Sequence, residues 1–299
     1  MDMRSQIYRS PYLDTKFKIR WDHERLYIGA FIQEKNLWAT MTEHDSKLWQ
    51  ENGFEVLMDV DGSMYNYKQA QINVLGTMMD QLRFKSYHDG PGPYSDIDWH
   101  PDARKEVFVE GTVNKPGDED RFWTVEMSFS FKSLAAESTR NQIEPSENEV
   151  WFMQFGRSEQ SLTVNRQGYY EKRPNTTAKW WSWQPCGTVN LHLVDRWGLV
   201  QFKTDSNDKA FVFQKWHIYK ALFDLFNALK SYQALNGKYV TTVDELDVPP
   251  YLLSRTCVDI PEVKLIRTGN STGFVGTVRS MYLSHKPAHI SDDRYIWFE

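Results

Sequence analysis

The two-residue alternation of apolar and polar side chains between Phe17 and about Phe202 constrains the fold most strongly. Phe17, Ile19 and Trp21 alternate with cationic residues, and residues 123–131 alternate in the same way. This period is typical of strands with one buried face. Further strand-like runs, separated by turn signals, are Leu26–Ile32, Phe54–Val60, Tyr65–Val74, Asp80–Phe84, Glu106–Val113, Val150–Phe155 and Val200–Phe202. Because these short strands follow one another without interleaved helices, residues 1–203 are predicted to form an antiparallel β-sandwich, jelly-roll or immunoglobulin-like.

The pattern changes after Lys203, where the polar sequence TDSND can cap a helix. Apolar residues then recur at three- and four-residue steps over 212–229, and Asn236-Gly237 ends the pattern, which predicts one long amphipathic helix. A capping box at Thr242 predicts a short second helix. Late strands are predicted at 263–267, 274–278 and 295–298. Residues 207–299 are therefore predicted to be a small α+β region that packs on the sandwich.

The composition excludes several classes of protein. Hydrophobic residues make up 40% of the 299 residues and charged residues 25%, which indicates a soluble globular protein and not a disordered or collagen-like one. The net charge of -5 gives no electrostatic reason to expect nucleic acid or an anionic membrane as partner. No run approaches the roughly 18 apolar residues of a membrane span.

Neither the cysteines nor the first residues fix the compartment. Cys186 and Cys257 cannot form a disulfide framework, and their spacing neither requires nor excludes one bridge. Residues 1–14 contain no apolar signal core. The protein is therefore expected either to be cytosolic or to have lost a secretory signal peptide.

Aromatic residues are abundant, since 12 Trp, 15 Tyr and 17 Phe make up 15% of the chain. Tryptophan is rarely fully buried, so some rings are expected at a surface, where they can bind a ligand. Trp49 lies just before a strand in which period two places Glu55 opposite the apolar row, and the next strand places Gln71 and Asn73 on its own polar face. If these strands are neighbours, the polar side chains form one patch beside Trp49. Such a patch suits a sugar, although the solvated face of any antiparallel sheet looks the same.

Short motifs in a fixed order point to a family. They are Trp21-Asp22, Asn52 to Gly62, Tyr67 to Thr77 with Asp80, Tyr87 to Gly90, Val109 to Asn114, Asp118 to Glu126, Phe155-Gly156-Arg157, Trp183 to Gly187, His192 and Arg196-Trp197-Gly198. In this order, residues 12–203 resemble the family 9 carbohydrate-binding modules, which occur attached to or beside enzymes that degrade plant polysaccharides. The resemblance implies non-catalytic binding of an oligosaccharide or a polysaccharide chain end, a glycoside hydrolase as partner, and an extracellular location.

The resemblance also implies a set of ligand-binding residues. In the family, two tryptophans sandwich a terminal sugar while carboxylate, amide and guanidinium groups bind its hydroxyls. The matching first tryptophan, carboxylate, polar pair and arginine are Trp49, Glu55, Gln71 with Asn73, and Arg157. The second tryptophan is one of Trp180, Trp181 and Trp183. Trp183 is preferred because Pro185 and Gly187 follow in register, and Trp181 is next.

Other interpretations concern metals and catalysis. No cofactor is required, but Asp59 and Asp61 resemble the start of a calcium loop, so a structural calcium is a second interpretation beside a plain Asp-Gly turn. The 8 histidines show no HxxxH or HExxH spacing. A glycoside hydrolase would need two carboxylates, and Glu55 with Glu126 or Asp80 is the pair considered. A haem-binding redox module is a third hypothesis, because related sandwich domains bind haem through methionine and histidine.

Overall fold

A computed structural model describes residues 13–204, 211–269, 271–283 and 286–299. The described residues form two compact units. The larger unit contains residues 13–61, 66–86 and 93–204, and the smaller one contains residues 62–65, 87–92 and the described residues after 204. The predicted packing of residues 207–299 on the sandwich stays a prediction.

The larger unit contains thirteen strands and one short α-helix among its described residues. In chain order the strands are β1 (Thr15–Trp21), β2 (Arg25–Gln33), β3 (Gly53–Asp59), β4 (Tyr67–Ile72), β5 (Met78–Arg83), β6 (Ser95–Asp96), β7 (Ala103–Glu110), β8 (Phe122–Ser130), β9 (Val150–Glu159), β10 (Leu162–Val164), β11 (Tyr170–Lys172), β12 (Lys179–Ser182) and β13 (Gly198–Gln201), and the helix is α1 (Phe131–Ala135). A 3-10 helix at Leu48–Gln50 precedes β3. The sequence pattern missed β6, β10, β11 and β12, which are all four residues long or shorter.

These strands form two antiparallel sheets and a hairpin. The four-stranded sheet has the order β1-β2-β8-β7, and β10 pairs with β11. The seven-stranded sheet has the order β12-β9-β3-β4-β5-β6, with β13 also paired to β9. β12 pairs with residues 156–159 of β9 and β13 pairs with residues 150–153, so both strands border the same side of β9.

The core lies between the two sheets, because each main strand directs its apolar row inward. From the four-stranded sheet come residues such as Ile28 and Val125, and from the seven-stranded sheet come Val56, Ile72 and Phe155. All are buried in one hydrophobic cluster. The predicted fold class, a β-sandwich followed by a region with one long helix, is confirmed.

Among the described residues, β1 is one of the two edge strands of the four-stranded sheet. In this strand Phe17, Ile19 and Trp21 are half-buried, whereas Lys18 and Arg20 are exposed. The alternation that predicts the strand thus also places cationic side chains along a sheet edge.

The smaller unit consists of a helix and a four-stranded antiparallel sheet, with two 3-10 helices between them. The helix is α2 (Trp216–Asn236), and the sheet contains β14 (Glu262–Thr268), β15 (Ser271–Val278), β16 (Ala288–Ser291) and β17 (Ile296–Phe298) in sequential order. The helix packs on this sheet: Phe226 lies 5.9 Å from Phe274, ring centroid to ring centroid. A Cβ on Gly276 would lie 2.7 Å from the Leu225 side chain, so the strand approaches the helix closely.

The helix ends where predicted but begins elsewhere. Gly237 adopts a left-handed conformation (φ +73°), and its N–H donates to the Gln233 carbonyl oxygen, as expected for a glycine that ends a helix. The expected cap in TDSND is wrong, because α2 begins at Trp216 after Lys215; residues 205–210 lie outside the described residues. The segment after Thr242 forms a short 3-10 helix without a side-chain cap.

No helix among the described residues combines the length and the apolar character that a membrane-crossing helix needs. Both cysteines are free. Burial raises the pKa of the Cys186 thiol to about 11, so this thiol stays protonated at neutral pH.

Candidate functional site

The predicted polar patch is formed by neighbouring strands of the seven-stranded sheet. β3 and β4 pair directly, and Glu55 lies opposite Gln71 in their register. Since Val56 is in the core, Glu55 projects from the other side of the sheet, which we call the outer face. Gln69 and Gln71 share this face with Glu55. All three side chains belong to buried residues, so the patch is not a solvated sheet surface.

Glu55 is a buried carboxylic acid. Its Oε1 accepts a hydrogen bond from Gln69 Nε2 at 2.5 Å. Burial raises the pKa of Glu55 to about 7, although the Gln69 hydrogen bond and the positive charge of Arg83 act in the opposite direction. At neutral pH the carboxyl group is therefore divided between its two forms, and it can accept or donate a hydrogen bond.

Gln71 is buried without a hydrogen-bond partner. The residue is 1% exposed, and among the described residues neither its Oε1 nor its Nε2 has a partner. Its side chain lies against Gly53, where an added Cβ would be 3.3 Å from Gln71 Nε2 and 2.9 Å from the Ile72 carbonyl oxygen. An unsatisfied buried amide costs about 1–3 kcal/mol, so a water molecule or a ligand hydroxyl at this position would be stabilising.

Asn73 is engaged within the protein. Its Nδ2 donates to the Met41 carbonyl oxygen at 2.9 Å and to Glu51 Oε2 at 3.2 Å. Its Oδ1 accepts from the backbone N–H groups of Leu75 and Thr77, both at 3.0 Å. These contacts hold the turn between β4 and β5. A ligand-binding role for Asn73 stays a prediction, and this geometry gives it no support.

Arg157 projects to the inner side of the sheet. It pairs with Phe54, a core residue, so its side chain leaves the strand on the side opposite to Glu55. Its guanidinium donates to Glu34 Oε2 and to the Gln33 carbonyl oxygen, both at 2.9 Å. The guanidinium carbon also lies 5.5 Å from the centroid of the Trp181 ring. Arg157 can therefore support Trp181 as a neighbour, by a cation–π contact.

The two tryptophans preferred from the sequence have different environments. Trp49 lies in the 3-10 helix before β3 and is 44% exposed. Trp183 packs at the rim of the core, with its ring 5.6 Å from Phe17 and 5.8 Å from Phe155, centroid to centroid, edge to face. An added Cβ on Gly198 would fall 2.2 Å from the Trp183 ring. Trp183 thus has a packing role, and its assignment as the second stacking ring stays a prediction.

An open hollow lined by two of the sequence-predicted rings lies at the edge strand β12. It has a volume of about 540 Å³ and is lined by both Trp180 and Trp181. Hydroxyl, amide and ammonium side chains stand beside the rings. The remaining lining residues are Ser161, Asn175, Thr176, Thr177, Ala178, Lys179 and Val189. We call this depression the Trp180 hollow.

The sheet register places Trp180 on the same face as the predicted polar patch. Trp180 pairs with Ser158, and Ser158 pairs on its other side with Gly53. Directly opposed residues project to the same face, and Gly53 and Glu55 are two positions apart, so Trp180 shares the outer face with Glu55. Trp181 projects to the other side, and both rings line one hollow at the sheet edge.

The segment that carries Trp49 lies next to the same part of the sheet. Ser158 Oγ donates to the Glu51 carbonyl oxygen at 2.8 Å, and Lys172 Nζ donates to the Gln50 carbonyl oxygen at 3.1 Å. Glu51 and Gln50 directly follow Trp49. At a strand spacing of about 4.8 Å, the Trp180 backbone lies about 10 Å from Gly53 across β9.

The sheet arrangement separates the carboxylates considered for hydrolysis. Glu55 projects from the outer face of the seven-stranded sheet. Glu126 is exposed on the opposite sheet, with the core residues Val125 and Met127 on either side of it in the strand. Because packed sheets lie about 10 Å apart, side chains on the two outer faces cannot approach to the 5–9.5 Å of a glycosidase pair. Asp80 lies opposite the core residue Ala70, so it leaves the sheet on the other side from Glu55.

The Asp59-Asp61 segment is engaged in local structure. Asp61 Oδ2 accepts hydrogen bonds from the backbone N–H and the hydroxyl of Thr139, at 2.6 and 2.9 Å. Lys68 lies close enough for the two carboxylates to raise its pKa, although burial is the larger effect and lowers that pKa to about 8. A calcium ion at this turn stays a prediction.

The solved structures that are similar to the chain include a carbohydrate-binding protein and carbohydrate-binding modules. A candidate carbohydrate-binding protein from Bacteroides uniformis is 13% identical, with a TM-score of 0.46 over 64% of this chain and 79% of that one. A family 9 carbohydrate-binding module from Caldicellulosiruptor kristjanssonii in complex with cellotriose is 14% identical, with a TM-score of 0.40 over 69% and 83% of the two chains. The same module in complex with glucose gives a TM-score of 0.39 at 14% identity, over 70% and 86%.

No protein-family model matches the chain, and its sequence matches none of the curated proteins. The similar structures include the family that the sequence resembles, and to that extent the predicted resemblance is confirmed. At TM-scores below 0.5 they carry no argument about ligand or site residues. The larger unit is defined by its own geometry as a β-sandwich with an aromatic hollow at one sheet edge.

Proposed function

We propose that the protein binds carbohydrate without transforming it, and that the Trp180 hollow is the principal contact. The observation that carries the proposal is the presence of Trp180 and Trp181 in one open depression with hydroxyl and amide side chains beside them. A pyranose ring presents apolar C–H faces and equatorial hydroxyls, so it requires a flat ring together with polar groups at its rim.

The size and the rigidity of the hollow suit this ligand. Its volume of about 540 Å³ lies within the 300–1,000 Å³ typical of small-molecule sites. The backbone of both tryptophans is held by pairing with β9, and the Arg157 guanidinium lies over the Trp181 ring. A preorganised ring loses little conformational entropy on binding. Micromolar affinity requires about -8.2 kcal/mol, which stacking and a few hydrogen bonds can supply.

Trp49 extends the proposed site along the outer face, and Glu55 and Gln71 form a buried polar layer on the same face. Trp49 is an exposed ring on the segment that contacts Ser158 and Lys172. The unpartnered amide of Gln71 would gain a hydrogen bond from a hydroxyl or a water that reaches it. In this arrangement Trp183 packs at the rim of the core and Asn73 holds the turn between β4 and β5, and neither contacts the sugar.

The absence of turnover is part of the proposal. The pairs of Glu55 with Glu126 and with Asp80 project from different sheet faces, which supports binding over hydrolysis. We expect that the folded protein releases no reducing sugar from any glycan it binds. A glycoside hydrolase partner, implied by the family resemblance, stays a prediction.

The test is binding of glycans to the full chain and to tryptophan variants. Asn175-Thr176-Thr177 has the sequence of an N-glycosylation site and lines the hollow. The protein is therefore produced in a bacterial host, so that Asn175 carries no glycan. A glycan array followed by calorimetry, with cellotriose and glucose among the first probes, identifies a ligand. We expect Trp180→Ala and Trp181→Ala to weaken its binding at least about tenfold, equivalent to about 1.4 kcal/mol.

A matched control is Trp216→Ala, since Trp216 is 41% exposed and belongs to the smaller unit. This variant should bind like the wild type. Equal binding by the wild type, Trp180→Ala and Trp181→Ala would refute the location of the site. Failure of the folded wild type to bind any glycan would refute the function.

A further inference from the structure

Four metal-ligating side chains converge in the larger unit, and none of them lines the Trp180 hollow. They are His44, Asp45, Asp80 and His100, and one ligand atom from each lies within 4.8 Å of all the others. Among the described residues, this is the only group of three or more such side chains that could hold a metal ion. The four residues come from three segments of the chain: the loop before Leu48–Gln50, strand β5 and the loop before β7.

The distances between the ligand atoms fit a tetrahedral site. His44 Nε2 lies 3.4 Å from a carboxylate oxygen of Asp45, 3.4 Å from one of Asp80 and 3.4 Å from His100 Nδ1. His100 Nδ1 lies 3.0 Å from Asp80 Oδ1 and 3.7 Å from Asp45 Oδ2. A tetrahedron with zinc–ligand bonds of about 2.0–2.1 Å has edges of about 3.3–3.4 Å. The five separations given above lie between 3.0 and 3.7 Å, with Asp80 facing His44 through Oδ2 and His100 through Oδ1, so they bracket the edge length of a four-coordinate zinc site.

The backbone holds the two carboxylates in position. The Asp80 N–H donates to Asp45 Oδ1 at 3.1 Å, and the Asp45 N–H donates to the Met78 carbonyl oxygen at 3.1 Å. Asp45 adopts a left-handed conformation, φ +60°, which is uncommon for a residue other than glycine. Such a conformation persists where surrounding contacts fix it, and it is frequent at functional sites.

The burial of the four side chains gives the cluster a fixed base and an open side. The Asp80 side chain is 3% exposed and that of Asp45 is 25% exposed, whereas His44 and His100 are 48% and 52% exposed. A cation can thus enter from the histidine side and meet a carboxylate that is already desolvated.

We propose that His44, Asp45, Asp80 and His100 bind one divalent transition-metal ion, with zinc as the best match. Two imidazole nitrogens and two carboxylate oxygens form a donor set that suits zinc, whereas calcium and magnesium prefer sites made of oxygen alone. Because the protein supplies four ligands, the site is structural and not catalytic. The ion links the loop that leads to Trp49 with strand β5 and with the loop that leads to β7. The inference does not depend on carbohydrate binding.

The test uses the full chain without a histidine tag, freed of metal by a chelator and then dialysed. Titration with zinc chloride in a calorimeter should show one ion per chain. A tetrahedral site should also give the intense visible absorption of four-coordinate cobalt when Co²⁺ is added. A large excess of calcium should not displace either ion.

The variants His44→Gln, His100→Gln and Asp80→Asn remove one ligand each. We expect each to weaken zinc binding at least 100-fold, with circular dichroism of the metal-free variants like that of the wild type. The two histidines are half exposed, so their replacement is compatible with folding even if Asp80→Asn proves unstable.

The matched control is His23→Gln. His23 is an exposed histidine whose Nδ1 lies 2.6 Å from one carboxylate oxygen of Glu144, so it tests a single histidine–carboxylate pair. It should bind zinc like the wild type. Absence of zinc binding by the folded wild type, or unchanged binding in both His44→Gln and His100→Gln, would overturn the proposal.

Discussion

The buried carboxyl group of Glu55 makes the stability of the protein depend on pH, and Glu55→Gln should remove that contribution. Burial raises the pKa of this carboxyl group from 4.5 to about 7 in the folded protein. Below pH 4.5 both the folded and the unfolded chain carry the proton, so the group has no effect. Between about 4.5 and 7 the unfolded chain releases the proton and the folded chain keeps it, so stability falls as the pH rises.

The magnitude follows from the size of the pKa shift. A difference of one pKa unit corresponds to about 1.4 kcal/mol, so the rise from 4.5 to about 7 corresponds to a loss of about 3 kcal/mol above pH 7. Glutamine keeps the shape of the side chain, and its Oε1 can still accept the hydrogen bond from Gln69. Glu55→Gln should therefore match the wild type at pH 4.5 and exceed it by up to about 3 kcal/mol at pH 8.

The assay is urea denaturation of the full chain at several pH values, with the difference in free energy of unfolding as the measured quantity. Burial also raises the pKa of Glu34 to about 7, but Glu34 is present in both proteins and cancels from the difference. Glu126→Gln is the control, because it changes an exposed glutamate in a strand. A difference between Glu55→Gln and the wild type that stays constant from pH 4.5 to 8 would refute the reasoning.

Three further substitutions test packing and backbone geometry. Trp183→Ala should lower the free energy of unfolding by about 2–4 kcal/mol, because its ring packs against Phe155 at the core rim. Gly198→Ala should cost about 1–3 kcal/mol, since the new Cβ would fall 2.2 Å from the Trp183 ring. Gly237→Ala should cost about 1 kcal/mol, because φ is +73° at the end of α2. Thermal denaturation followed by circular dichroism measures all three.

Each of these substitutions has its own control. Trp216→Ala removes an exposed ring of the same size and should change stability little. Gly29→Ala introduces a methyl group where nothing lies within 4 Å, so Gly29 serves as the strand control for Gly198. Unchanged stability in Trp183→Ala would contradict the packing role of this ring. Trp183 would then again be a candidate for stacking on a sugar.

The sequence predicts the main strands and the long helix because their periodicity reports burial. In β3, for example, Val56 and Met58 face the core and Glu55 does not, as the alternation predicts. The edge strand β12 was missed because it is only four residues long, and its two adjacent tryptophans break the alternation. Edge strands bury less of either side, so their sequences carry a weaker pattern.

The candidate site was predictable only in part. The spacing within strands brings Glu55 and Gln71 together correctly once β3 and β4 pair. No sequence pattern reveals that both the Nδ2 and the Oδ1 of Asn73 form hydrogen bonds within the protein. Nor does any pattern reveal that Trp180, and not Trp183, shares the sheet face of Glu55. These features depend on which strand lies beside β9.

The histidine–aspartate cluster was invisible to a search for local spacing. A pattern such as HxxxH detects ligands that share one helix, whereas His44, Asp80 and His100 come from separate segments. Only the pairing of β4 with β5 and the course of the adjoining loops place them together. Distance between ligand atoms is the relevant signal, and it requires coordinates.

The cationic residues along β1 have a consequence for self-association. Two chains that approached through this strand would bring Lys18 and Arg20 of both copies close together. At about 0.01 M ionic strength the Debye length is about 30 Å and the like charges repel strongly, whereas at about 1 M it is about 3 Å and the repulsion is screened. Concentrated salt should therefore weaken the repulsion between two β1 strands and favour their pairing. Light scattering, which reports aggregation, should then rise with ionic strength.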